Sequence, residues 1–431
     1  MRLWAAIAIL LTLSYGKALA GEEYSFDLSE IEEKPLHIGG YVEFRPVLFG
    51  LDKDSASHKL KLYGRDKKNI RDEYNFTALL DGSYQKGTTE FRAIVNADLR
   101  NSYLGWSDET TLYEGYMALR PSSTFNFNIG KKTLKWGKGY AWNPVAFLDR
   151  PKDPYDPELA REGFVVASAD YIRSFDGPLK TFSFTPVLMP VYDHINDDFG
   201  KVDRLNFAAK TYFLLYDTDI DFVFLTGRSK TNRYGMDFSR NITSNFEIHG
   251  EFAFINDYEK RFINSDGTVF NKEYDATNYL LGLRYLTKSD TTYIFEYFHD
   301  ATGFTKSEMT DYFSFIDQGY DTYLTSGDDS LLKEASNAAG ASYNRKNPMR
   351  DYLYLRVSQK EPFDILYFTP SLTGIFNIND KSFSVGPELL YTGVKNLELR
   401  LRTTFLIGDS YTEYGEKLND FWIGLRVRYY F

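Results

Sequence analysis

Apolar and polar residues alternate along most of this chain. In FWIGLRVRYYF, residues Phe421, Ile423, Leu425, Val427, Tyr429 and Phe431 share one parity, while Trp422, Gly424, Arg426, Arg428 and Tyr430 share the other. A strand sends successive side chains to opposite faces, so this segment has one apolar and one basic face. The same period recurs over 91–100, 205–213, 246–254 and 397–405. Repeated along the chain, it predicts about 18 strands, near 37–49, 73–86, 88–101, 111–121, 123–136, 163–174, 179–191, 203–216, 218–229, 232–242, 244–256, 276–287, 290–301, 350–360, 363–376, 380–394, 395–408 and 418–431. Cutting 192–242 differently would leave 16. Strands of about 10 to 14 residues suit a tilted membrane crossing better than a soluble sheet, where about five or six is usual.

The predicted connections alternate in length. Tight turns fall at Lys86-Gly87, Pro121-Ser122, Asp176-Gly177, Asp217-Thr218, Thr243-Ser244, Ser289-Asp290, Glu361-Pro362 and Lys395-Asn396. The others are mostly long (50–72, 137–162, 257–275, 302–349), with shorter ones at 192–202 and 409–417. Short turns on one rim and long loops on the other are the signature of a transmembrane, antiparallel, up-and-down β-barrel. The expected fold class is therefore all-β, with short periplasmic turns and long extracellular loops. Closure satisfies every backbone group between strands, which is what lipid demands.

Composition fits this picture. Residues 1–20 read as a signal peptide: a basic start, an apolar run from Leu3 to Leu13, and Ala18-Leu19-Ala20 as the cleavage site. An acidic periplasmic leader over 21–35 and a barrel over 36–431 complete the expected organisation. There is no Cys, so neither disulfides nor thiol chemistry are available. Mean hydropathy is −0.40, yet 17% of residues are aromatic, with 34 Tyr and 35 Phe. A barrel with one face in lipid and one in water accommodates both facts, and Tyr113, Tyr234, Tyr279, Tyr285, Tyr293 and Tyr429 are expected in its interfacial girdles. A net charge of −10 argues against a nucleic-acid partner. No P-loop, GxSxG or HExxH motif and no metal-ligand cluster appears, so no enzyme activity, cofactor or metal is expected.

With alternate aromatics on its last strand and a terminal Phe431, the chain resembles Gram-negative outer-membrane barrels of the general-porin kind over roughly 36–431. The resemblance implies a protein of the cell outer membrane, surrounded by the lipid bilayer and lipopolysaccharide. Phe431 would be its signal to the assembly machinery. It further implies passive diffusion of small hydrophilic solutes, and a homotrimer as one common state. About 15 residues precede the first strand, which leaves no room for a plug domain.

Two stretches carry the candidate function. The first is the third external loop, 137–162, with its approach. Trp136, Tyr140 and Trp142 give it an apolar side, Asn143-Pro144 follow, and Lys138, Asp149 and Arg150 give it charge. In general porins the third loop narrows the pore, and this one is the candidate constriction; a solvated external cap is the alternative. The second is a basic wall, Arg45, Arg400, Arg402, Arg426 and Arg428, on three strands that closure makes neighbours. Such a wall favours anions weakly. Other lumen charges are Arg92, Arg100, Glu114, Lys132, Arg356 and Glu398, and inward carboxylates stand ready to neutralise the wall instead. The acidic loop 302–349, with a helical SLLKEASNAAG, is a weaker candidate for divalent cations. Two further readings stay open: a non-conducting barrel serving as adhesin or assembly component, and an outer-membrane hydrolase using His299-Asp300 or Asp193-His194.

Overall fold

The computed structural model describes residues 35–65, 68–103 and 105–431, so the expected signal peptide and nearly all of the leader lie outside the described residues. Eighteen strands follow one another: β1 Leu36–Leu51, β2 Ile70–Lys86, β3 Thr89–Ser102, β4 Gly105–Leu119, β5 Phe125–Lys132, β6 Phe164–Ser174, β7 Leu179–Val191, β8 Arg204–Leu215, β9 Thr218–Thr226, β10 Arg233–Thr243, β11 Phe246–Ile263, β12 Val269–Leu286, β13 Thr291–Asp300, β14 Asp351–Gln359, β15 Phe368–Asn377, β16 Phe383–Val394, β17 Leu397–Ile407 and β18 Asn419–Tyr430. Each pairs antiparallel with its sequence neighbours, and β1 closes on β18 with Glu43 opposite Arg428 and Val47 opposite Gly424. The barrel has 18 strands, not 16. At the seam Phe431 exchanges backbone hydrogen bonds with Gly40, at 3.1 and 3.3 Å.

Side-chain parity decides which solvent each face meets. On β18, Ile423, Leu425 and Tyr429 are exposed on the outer surface while Gly424 and Arg426 are buried inside. Ile129, Leu205, Leu281 and Leu372 face outward in the same way, whereas Asn75, Asp221, Glu251 and Glu388 are buried. An apolar outer belt around a polar, charged interior is the inverse of a soluble core and suits a wall standing in lipid. Tyr234, Tyr285, Tyr293 and Tyr429 lie on the outer surface. Tyr113 does not: the β3–β4 ladder runs Ile94–Glu114 and then Val95–Leu112, skipping Tyr113. This bulge turns Tyr113 inward beside Glu114.

Strand ends differ most from expectation in three places. The strand expected at 363–376 begins only at Phe368, so the tight turn expected at Glu361-Pro362 is the eight-residue connection 360–367. The stretch 257–275 is not a long loop. After an irregularity between Ile255 and Tyr258, β11 and β12 continue pairing through Tyr258–Tyr274 and Lys260–Lys272 to a hairpin at 264–268. Its charged residues stand on a ribbon, which tolerates polar side chains on both faces above the membrane. Likewise β4 begins at Gly105, so the β3–β4 connection is tight although it lies on the long-loop rim.

The loop rim also carries three helices: α1 Ala56–Leu62, α2 Lys306–Ser326 and α3 Ser330–Tyr343. Thr305 and Glu308 close a reciprocal capping box at the start of α2, a T-x-x-E signal legible in TKSE, and Gly327 ends it with φ of 77°. Phe304, Met309, Tyr312, Phe313, Phe315 and Ile316 pack with Leu332, Ala335 and Tyr343 and with the wall residues Phe298, Tyr352 and Tyr354. Two of the acidic residues of 302–349 serve this packing: Asp317 binds Lys59 and Tyr411, and Asp329 binds Tyr63 and Lys333. Among the described residues, no group of three or more His, Asp or Glu is placed to hold a metal, and no helix is long and apolar enough to cross a membrane.

Candidate functional site: a loop anchored across the lumen

The segment joining β5 to β6, residues 133–163, does not cap the barrel. It enters the interior and is held at three stations around the wall.

At its neck, Asp149 closes the loop on itself. One carboxylate oxygen accepts from the Leu134 and Lys135 amides at 3.0 and 3.1 Å, the other from the Trp136 amide at 2.9 Å. Trp136 is buried with Val145, Phe147, Leu148, Phe164 and Val166 against this side of the wall. Arg150 pairs with Glu162 at 2.8 Å and with Asp198 of the β7–β8 loop, and stacks over Phe164.

The second station is on β11 and β13, where buried carboxylates receive the loop's backbone. Glu251 accepts from the Lys138 and Gly139 amides, both at 2.6 Å, from the Asn143 side chain at 3.0 Å and from the Val145 amide at 3.2 Å. Glu296 accepts from the Tyr140 amide, from the Ala141 amide at 2.9 Å, and meets His249 Nε2 at 3.0 Å. The glycines of Gly-Lys-Gly make this approach possible. A Cβ on Gly137 would stand 2.8 Å from the Glu251 carboxylate, and one on Gly139 would stand 2.1 Å from the Trp142 carbonyl. Lys138 reaches Asp221 of β9 at 2.9 Å. Trp142 stacks on Phe298 and donates to Asn347 at 3.3 Å, and Pro144 follows Asn143 within the bend.

The third station is the basic wall. Asp156 of the loop meets Arg426 at 2.8 Å, Arg402 at 3.6 Å and Arg400 at 3.7 Å. Burial would raise this carboxyl, but Arg402, Arg426 and Arg400 overcome it and hold Asp156 down at about 2. The remaining guanidinium charge is met from within the wall. Glu43 binds Arg428 at 2.6 Å and Arg426 at 3.3 Å; Glu388 binds Arg402 (Nε at 2.6 Å) and Arg356 at 3.5 Å; Glu398 binds Arg400 at 3.2 Å. Beside Asp156, Tyr155 donates to Ser384 of β16 at 2.9 Å.

Of the wall arginines only Arg45 has no carboxylate within 4.0 Å among the described residues, and it lines a cavity of about 300 Å³ with Arg402, Trp422 and loop residues 153–159. On the other side of Leu159 a larger cavity of about 630 Å³ separates the loop from β3, β4 and β5. Five cations line it: Arg92, Lys132, Lys135, Lys152 and Arg161, against Glu114 and Glu158. Arg92 is paired with Asp81 at 2.7 Å and Glu114 at 3.9 Å. The other four have no carboxylate within 4.0 Å among the described residues. Lys132 lies 4.6 Å over the Tyr116 ring and bonds Asn128, and Lys152 donates to the Gly139 carbonyl at 2.5 Å, its pKa drawn down by burial. Arg100, by contrast, is bound to Glu73 at 2.6 Å.

The roles of Glu251, Glu296 and Asp156 are not visible in strand parity. The one hint is that Glu251 and Glu296 occupy inward positions with no arginine opposite. His299 bonds Asp351 at 2.7 Å and stacks on Tyr279; among the described residues no serine or threonine hydroxyl is bonded to it.

No protein-family profile and no curated protein sequence matches the chain. Solved structures do. A BenF-like porin from Pseudomonas fluorescens Pf-5 superposes with a TM-score of 0.53 at 10% identity, over 92% of this chain and 98% of that one. Pseudomonas aeruginosa OccK2 (OpdF), solved in complex with glucuronate, gives 0.51 at 12% identity over 92% and 97%. Pseudomonas aeruginosa OccK11 (OpdR) gives 0.50 at 12% over 91% and 95%. At such identities the likeness carries architecture alone, and the architecture, an 18-stranded closed antiparallel barrel with an apolar belt and a polar lumen, is that of an outer-membrane porin.

Proposed function

We propose that the chain is an outer-membrane channel through which small hydrophilic solutes diffuse passively, with 133–163 as its constriction and a weak preference for anions. The observation that carries this reading is the three-station anchorage of the loop inside the barrel, which leaves a cavity of about 630 Å³ lined by four cations free of carboxylate partners. An uncompensated cluster of cations beside a narrowing attracts anions and raises their local concentration. The preference is assigned to these residues and to Arg45, not to Arg400, Arg402, Arg426 and Arg428, whose charge is consumed by Asp156, Glu43, Glu388 and Glu398. The membrane partners (lipid, lipopolysaccharide and the assembly machinery), the trimer and the absence of enzyme activity follow the porin resemblance and belong to the same proposal.

The test is single-channel recording of the refolded protein in planar bilayers, with the reversal potential measured across a salt gradient. A steady open channel with the anion sign supports the reading; the cation sign removes the role of the cavity cations. A second reading has its own observation: α1, α2 and α3 pack together over the loop rim. Correctly folded barrels that never conduct would favour that reading, an adhesin or assembly component.

A further inference from the structure

One turn on the short-turn rim differs from the rest. Seven of the eight connections there are polar or glycine-bearing, with Phe175 and Tyr216 as their only large apolar residues. The eighth, between β14 and β15, reads KEPFDILY over 360–367. Phe363 is 93% exposed, Leu366 63%, Tyr367 57% and Ile365 48%.

This turn is ordered by its own hydrogen bonds. The Glu361 amide donates to the Phe368 carbonyl at 2.8 Å, the Tyr367 amide to the Glu361 carboxylate at 2.9 Å, and the Thr392 amide of β16 to the Tyr367 carbonyl at 3.1 Å. Its backbone is left-handed at Glu361, Phe363, Asp364 and Tyr367, with φ of 50°, 59°, 59° and 63°. Glycine or asparagine would relieve that conformation, and bulky residues there are outliers. The chain nevertheless holds a phenyl and a phenol in strained positions that display them. Strain maintained by surrounding structure points to a use.

We infer that 361–367 is a membrane-interface anchor, seating Phe363, Ile365 and Leu366 at the headgroup–acyl boundary of the leaflet on the short-turn rim. The surface it extends is already apolar: Leu355 on β14 and Leu372 on β15 face outward below it, and Phe368 pairs with the outward Tyr391 of β16. The turn thus prolongs the lipid-facing belt, while Lys360, Glu361 and Asp364 supply the polar edge. Apolar and aromatic side chains mixed with charges at a membrane edge are the chemistry of interfacial segments. The anchor would fix the height of this sector of the barrel in the bilayer.

The chain has no cysteine, so single-site spin labelling is clean. Phe363→Cys and, with the phenyl retained, Leu366→Cys are each labelled in the full barrel in phosphatidylethanolamine–phosphatidylglycerol vesicles. Accessibility to oxygen and to a water-soluble nickel chelate then reads depth. Asp176→Cys, in a polar turn of the same rim, is the aqueous control; Leu355→Cys is the hydrocarbon control. The anchor predicts values for 363 and 366 between the controls, with the oxygen-to-nickel ratio several-fold above that of 176. Values equal to those of 176 overturn it. Low accessibility to both reagents also overturns it, because a protein surface, a second copy or a partner, then covers the turn. If Leu355→Cys itself reads as aqueous, the placement of the barrel in lipid fails, and the anchor with it.

Discussion

Two regions of this lumen are rich in arginine and lysine, and they do opposite things. On β17, β18 and β1 the guanidinium groups of Arg400, Arg402, Arg426 and Arg428 meet Glu43, Glu388, Glu398 and the loop residue Asp156. On the far side of the loop, Lys132, Lys135, Lys152 and Arg161 line a cavity and have no carboxylate within 4.0 Å among the described residues. Counting basic residues on inward positions does not separate these regions. What separates them is whether a carboxylate is delivered, and for the first region one of the carboxylates arrives on a loop some 270 residues away in sequence from Arg426. The wall holds the loop 133–163 in place; the cavity cations are left without such a partner, which is why the proposed anion preference is assigned to them.

Cutting the wall is the most damaging way to test this contrast. Arg426→Leu leaves Asp156 and Glu43 short of a buried partner. A loss of about 3 kcal/mol is expected, in the range for breaking a buried ion pair, and would be read as a lower temperature for heat-induced unfolding on semi-native gels. The anion preference should change little; a large shift in reversal potential without loss of stability would contradict the structural role.

Protonation offers the next largest effect. Asp156, at about 2, stays charged above the usual carboxylate range, so its hold on the wall is complete at neutral pH and is lost only as pH falls toward 2. Glu413, in the β17–β18 loop, behaves in the opposite sense. Burial raises it to about 7, although Lys417 and hydrogen bonds from Tyr352 at 2.6 Å and Asn377 at 2.8 Å favour its charged form. The folded chain therefore binds this proton more tightly than the unfolded one from about pH 4.5 to pH 7. The loop's anchorage weakens as pH rises through that window, by on the order of 3 kcal/mol at most. Hydrogen exchange of 408–418 should speed up between pH 5 and pH 7 beyond the chemical rate in the natural chain, and Glu413→Gln should abolish the extra acceleration.

Removing the cavity charge is the direct counterpart of the wall cut. Lys132→Gln with Lys135→Glu should leave unfolding unchanged and lower the anion-to-cation permeability ratio about tenfold, equivalent to roughly 1.4 kcal/mol. An unchanged ratio would send the preference back to Arg45 or remove it. The smallest effect is expected at Leu159, which borders both cavities. Leu159→Ala should raise single-channel conductance by less than about twofold, since one side chain leaves a space held open by backbone.

Much of this molecule is written in local pattern. Period-two alternation marked nearly every strand because each side chain is assigned to lipid or lumen by parity alone, and the tight turns announced themselves in Gly, Asn, Asp and Ser. The candidate loop stood out through its Trp, Pro and Gly content. The ribbon over 257–275 is not legible, because charged residues on both faces mimic a loop once the strand leaves the membrane. Helix α2 carries its capping box in the sequence but sits in a stretch that otherwise reads as an acidic loop. At Tyr113 a bulge resets parity without any mark in the pattern.

The sequence by itself determined the barrel, its two faces and its two unequal rims, since these follow from alternation and spacing within a few residues. Only the tertiary structure decided which charges remain free. Glu251, Glu296 and Asp156 act on partners brought to them by ring closure and by a loop folding inward. Ion pairing depends on separations of about 3 Å in space, and residues far apart in a chain carry no local trace of such a meeting.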